Sequence, residues 1–134
     1  MTSRATTRAD RTGRAGAGAP VVVMRRRADF LKANGGKRRG MPGFLLQARK
    51  RKPGEAPDEL IRVGFTCSKK VGNAVARNRA KRRLREIARA VLPSEGRAGF
   101  DYVLIGRAVE TSERAFQILR DDLRAALKGI HPEV

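Results

Sequence analysis

The sequence predicts a single mixed α/β domain, of the α+β kind, because strand-period and helix-period segments alternate along its 134 residues. Ile61, Val63, Phe65 and Cys67 alternate with Arg62, Gly64, Thr66 and Ser68, the pattern of a half-buried strand. Ala80, Leu84, Ile87, Ala88 and Val91 form one apolar stripe at helical spacing. Tyr102 to Ile105 is apolar at every position, as expected of a central strand covered on both faces.

The remaining elements follow in order. Residues 1–20 carry no large apolar side chain after Met1 and are expected to be a disordered basic tail, leaving residues 21–134 as the one domain. Met24, Ala28, Phe30 and Leu31 predict a short helix starting at Met24 and stopped by Asn34-Gly35-Gly36. A basic loop with Met41-Pro42-Gly43 leads into a strand where Phe44, Leu46 and Ala48 alternate with Leu45, Gln47 and Arg49. The turn-rich residues 52–59 hold Glu55, Asp58 and Glu59 and suggest a solvated hairpin rather than a metal site. Asn73 is the expected N-cap of the long basic helix, and Pro93 its expected end. Ser112 is the expected cap of a final helix bearing Phe116, Leu119, Leu123, Ala126, Leu127 and Ile130, whose mixed outward charges look structural.

Charge narrows the partner. The formal net charge is +18, yet the stretch from Pro93 onward is near neutral, with six basic against seven acidic residues. The excess sits in two blocks: residues 25–52 hold eleven Lys or Arg against Asp29, and residues 62–92 hold ten against Glu86. Between Lys70 and Arg89 eight cations crowd a helix whose only acid is Glu86. Like charges at three- and four-residue spacing weaken a helix, and phosphate neutralisation offsets that cost. At 100° per residue Arg79, Arg82 and Arg89 project opposite Leu84, Lys81, Arg83 and Arg85 lie on the flanks, and Arg77 falls near the apolar line at the first turn. This is a nucleic-acid footprint.

Catalytic side chains are scarce. His131, the only histidine, is three residues from the C-terminus in a stretch expected to fray, and Cys67 continues the inward face of its strand as a small core residue. No metal-binding or phosphate-loop motif occurs. One cysteine and no secretory hydrophobic segment suggest a reducing, cytoplasmic location. No apolar run approaches the roughly 20 residues that span a bilayer, so no membrane partner is expected.

The order of residues in the basic segment is more specific than its composition. SKKVGNAVARNRAKRRLRE, from Ser68 to Glu86, resembles the signature of the protein subunit of bacterial ribonuclease P, an S-K-K-x-G-N-A-V segment followed by R-N-R-x-K-R-x-x-R. Arg77, Asn78, Arg79, Lys81, Arg82 and Arg85 match the second part, and Ser68, Lys69, Lys70, Gly72, Asn73, Ala74 and Val75 the first. The likeness extends from Met24 to about Ile130.

The resemblance implies a compact two-layer sandwich, ribosomal protein S5 domain 2-like, with about four strands, three helices and a left-handed βαβ crossover against the usual hand. It implies a subunit of a ribonucleoprotein endonuclease whose RNA holds Mg2+ and hydrolyses the phosphodiester that joins the 5′ leader to precursor tRNA. The partners would be that catalytic RNA and precursor tRNA, with no obligate protein partner. Lys69, Lys70, Asn73, Arg77, Asn78, Arg79, Lys81, Arg82 and Arg85 would contact RNA, mainly through phosphates. A cleft on the open sheet face would take the single-stranded leader, with Phe30, Phe44, Thr66 and Ser68 as its candidates. Many relatives carry further aromatics where this chain has Asn34 and Gln47, and Phe44 is the candidate to compensate.

Two other readings start from the same composition. A structural RNA-binding protein of the ribosome would share the size and the basic tail, but would associate with ribosomal subunits rather than a catalytic RNA. A protein-only nuclease would need carboxylates or histidines converging on metal, and would cleave precursor tRNA unaided.

Overall fold

The computed structural model describes residues 19–131. The tail expected over residues 1–20 therefore lies outside the described residues up to position 18. At its end, Ala19 packs against the core and the Pro20 carbonyl accepts a hydrogen bond from the Ile61 N–H at 2.8 Å.

Five strands form one sheet: β1 (Val21–Val23), β2 (Lys37–Gly40), β3 (Phe44–Lys50), β4 (Ile61–Thr66) and β5 (Phe100–Gly106), in the spatial order β1-β4-β5-β3-β2. The helices are α1 (Arg27–Ala33), α2 (Ala74–Glu95), the single turn α3 (Glu110–Glu113) and α4 (Phe116–Ile130). β5, apolar from Tyr102 to Ile105, is the central strand, as that run predicts. It pairs antiparallel with β3 and parallel with β4, so β4-α2-β5 is a parallel crossover with the basic helix as its connection.

Alternation along the strands sorts side chains to two faces. Phe44, Leu46, Ala48, Ile61, Val63, Phe65, Tyr102 and Leu104 join the buried faces of α2 and α4 in the main core. Leu84, Ile87, Val91, Leu119 and Leu123 are fully buried there, so each helix stripe lands on the sheet as its periodicity predicts. The opposite face is covered only by α1, over a small cluster of Met24, Ala33 and Val103 with Phe30 and Ile105 packed beside it. One helix of seven residues cannot cover that face, and the remainder stays open as a cleft.

Several expectations need correction. The sheet has five strands, not about four, and four helical segments replace three. β1 is three residues long and β2 is wholly exposed Lys37-Arg38-Arg39-Gly40, so neither shows apolar alternation; β2 is a charged edge strand. The first helix begins at Arg27, because Met24 hydrogen-bonds to Val63 and continues the β1 edge. Residues 51–60 are no hairpin, since β5 lies between β3 and β4. Pro93 sits inside α2, whose last turn runs on to Glu95. That close to the end it removes one hydrogen-bond donor, while buried Leu92 and the Gly96 N–H to Leu92 carbonyl bond hold the turn. Ser112 belongs to α3, and α4 starts after Ala115 without a side-chain cap. His131 does not fray: it is buried, 2.9 Å from the Tyr102 hydroxyl and edge-on to Phe100. The Tyr102 hydroxyl also accepts from the Arg97 N–H, and burial pushes its ionisation up to about 12.

Candidate nucleic-acid interface

The basic helix is launched by a short built turn. Ser68 accepts a hydrogen bond from the Lys70 N–H at 3.2 Å and caps a 3-10 turn, Lys69–Val71, on which Lys69 and Lys70 are exposed. Gly72 follows at φ 142°, where a Cβ would lie 2.8 Å from the Ala76 side chain, so only glycine lets the chain enter the helix here. Asn73 then caps α2 as expected, its side-chain oxygen accepting from the Ala76 N–H at 2.9 Å.

Along α2 the cations divide by face. Asn78, Arg79, Arg82, Arg85 and Arg89 are exposed, and Arg77, Lys81 and Arg83 half-buried. Arg77 and Lys81 lie close enough to Cys67 to favour its thiolate, although burial dominates and pushes the thiol up. One turn further, the Arg85 guanidinium stands 5.5 Å from the centre of the Phe65 ring, a cation–π contact. Arg83 is spent on the fold: it donates to the Ser112 carbonyl at 2.8 Å and to the Arg114 carbonyl, tying α2 to α3. Among the described residues no ion pair forms on Arg79, Arg82, Arg85 or Arg89.

The cleft on the other sheet face has a volume of about 440 Å³ and lies between α1 and the open ends of β3, β4 and β5. β1 pairs only with Ile61–Val63, so the Gly64–Thr66 end of β4 has no neighbour on that side. Phe30 and Thr66 line the cleft, as expected, with Val103 and Ile105. Phe30 lies across Gly64, where a Cβ would sit 2.5 Å from its ring carbons. Phe44 is a correction. It is fully buried on the α2 side of the sheet, because it shares the parity of Leu46 and Ala48 while Gln47 has the parity of the cleft. Ser68 lies beyond the cleft lining and serves the turn instead. Sequence reasoning missed Phe65, which lines the cleft and also carries Arg85, and the two cations Arg25 and Arg27 at the rim.

Ion pairs brace the far end of that face. Asp101, fully buried, accepts from Arg51 at 2.8 Å and from both Arg62 nitrogens at 2.8 and 2.7 Å, and Arg62 reaches Asp29 on α1 at 3.5 Å. Arg51 also donates to the carbonyls of Phe100, Pro57 and Leu60. Among the described residues no group of three His, Cys, Asp or Glu side chains could hold a metal ion. None of the described helices is long and apolar enough to cross a membrane.

The family model of ribonuclease P matches residues 21–131. The ribonuclease P protein component of Ruegeria pomeroyi is 64% identical over 111 residues, covering 83% of this chain and 87% of that protein. The corresponding protein of Paramagnetospirillum magneticum is 49% identical over 108 residues, covering 80% of each. Among solved structures, the ribonuclease P protein of Thermotoga maritima superposes with a TM-score of 0.65 at 32% identity, covering 80% of this chain and 96% of that one. That of Staphylococcus aureus gives 0.62 at 27% identity, covering 79% and 92%. The signature on α2, the sheet that carries it and these matches agree: the chain belongs to the ribonuclease P protein family, the protein component of the endoribonuclease that matures the 5′ ends of tRNA.

Proposed function

We propose that this chain grips the catalytic RNA of ribonuclease P with α2 and the Lys69–Val71 turn, and the single-stranded leader of precursor tRNA with the cleft beneath α1. The observation that carries the reading is Phe65. Its ring faces α2 and bears the Arg85 guanidinium, while its position on β4 and its neighbour Thr66 border the cleft on the other sheet face, so the two surfaces adjoin across β4 and one RNA assembly can occupy both. Phosphodiester hydrolysis is left to the RNA and its Mg2+, and no step of it runs through this chain's side chains. The protein's own contribution is to screen phosphate repulsion, through Lys69, Lys70, Arg79, Lys81, Arg82 and Arg85, and to hold the leader; its place of action is the cytoplasm.

Reconstitution tests this directly. With the catalytic RNA, the full chain should raise affinity for precursor tRNA more than for mature tRNA and lower the Mg2+ needed for 5′ cleavage; by itself it should cleave nothing. Equal affinity gains for both tRNAs would remove the leader from the reading.

A further inference from the structure

A second groove, on the side of α2 away from the leader cleft, has a volume of about 540 Å³ and no assigned role. Arg79 and Arg82 form its α2 wall, and its other wall is the α3 turn and the start of α4, where Phe116 is exposed over 38% of its surface. Arg79 reaches the Ser112 carbonyl at 3.5 Å and Arg82 makes no ion pair among the described residues, so two guanidiniums without carboxylate partners flank an aromatic ring that keeps part of its surface in water, a costly arrangement because the arginines repel one another.

The wall opposite α2 is strained and held. Val109 has φ 67° and ψ −58°, and the Glu110 N–H donates to the Ala108 carbonyl at 2.7 Å, closing the strained form of γ-turn on a β-branched residue. Such strain persists only where surrounding contacts over-determine it. Here they do. Arg83 binds two carbonyls of the turn, the Thr111 hydroxyl donates to the Gly43 carbonyl at 2.6 Å, and the Arg107 N–H donates to that hydroxyl at 2.7 Å. The groove is therefore fixed before anything enters it.

We propose that this groove seats one unstacked nucleotide of the partner RNA, its base stacked on Phe116 and its flanking phosphates on Arg79 and Arg82. Aromatic rings accept any base face, and guanidiniums follow the backbone, so the pair suits a nucleotide bulged from a structured RNA. Glu86 and Glu113 in the lining oppose a purely electrostatic phosphate site and leave the ring as the feature that favours an unstacked base over bare backbone. This rests on the reading that the chain binds the catalytic RNA, and adds a contact outside the leader cleft.

The test uses the full chain and the transcribed RNA subunit of ribonuclease P. Phe116→Ala should lower affinity about tenfold while leaving the salt dependence unchanged, because a stacking contact releases no counterions. Phe116→Trp should keep the affinity and lose indole fluorescence on RNA binding. Wild-type affinity in Phe116→Ala, a shallower salt slope in that variant, or unquenched Trp fluorescence on a bound complex would each overturn the proposal while leaving the functional reading standing. Failure of the wild-type chain to bind the RNA would overturn both. Thermal unfolding of Phe116→Ala should match the wild type, since the ring is not in the core.

Discussion

Gln47 donates from its side-chain nitrogen to the side-chain oxygen of Asn34 at 2.7 Å, joining β3 to the C-terminal cap of α1 across the floor of the cleft beneath α1. Both amides are spent on a hydrogen bond inside the protein, so under the proposed function Phe30 is the ring on which a base would stack. Asn34→Phe adds a stacking platform at an exposed position and should tighten precursor tRNA by roughly 1–3 kcal/mol without changing mature tRNA binding. Comparative filter binding of the two tRNAs to the reconstituted holoenzyme checks this.

Phe30 and Gly64 are coupled through contact. Gly64→Ala must displace the ring, because its Cβ would lie 2.5 Å from two ring carbons. It should therefore weaken precursor tRNA binding selectively while leaving affinity for the catalytic RNA, which depends on α2, unchanged. Equal loss for both ligands would show that Phe30 serves packing alone.

On α2, Arg79→Ala combined with Arg82→Ala should lower affinity for the catalytic RNA and shallow the slope of log affinity against log salt by roughly 1.5 to 2, one released counterion for each lost phosphate contact. Titrations at several salt concentrations measure it. An unchanged slope would remove these arginines from the phosphate contacts.

Asp101→Ala should cost about 3–5 kcal/mol, because it strands the buried Arg51 guanidinium beside carbonyls that satisfy only part of it. Urea unfolding reports the loss. Asp101 touches neither the α2 surface nor the cleft lining, so RNA affinity of the folded fraction should survive.

The Arg49 guanidinium and the Lys52 N–H hold the Glu55 carboxyl down to about 2, from an ordinary value of 4.5. The sign follows: a carboxyl with a lowered native value adds stability that is fully present above about 4.5 and is lost as pH falls towards about 2. Glu55→Gln should accordingly destabilise at neutral pH and flatten the decline of stability across that acidic window, as thermal unfolding at stepped pH would show.

By itself the sequence determined the central strand, the two amphipathic helices, the α2 N-cap and the family, because each is written in neighbouring residues: periodicity of two or 3.6, a cap at a fixed offset, a motif on one helix. It also placed Phe30 and Thr66 on the right face. What only the tertiary structure decided depends on contacts distant in sequence. The charged edge strand β2 exists because β3 pairs with it, Phe44 faces the core because β3 lies between α4 and α1, and His131 is buried because Tyr102 receives it. Arg83, one cation among many in the sequence, became a strut because the α3 carbonyls come within its reach, and Phe65 became the joint between two surfaces because α2 crosses it. Local pattern specifies which residues share a face; only packing specifies what that face meets.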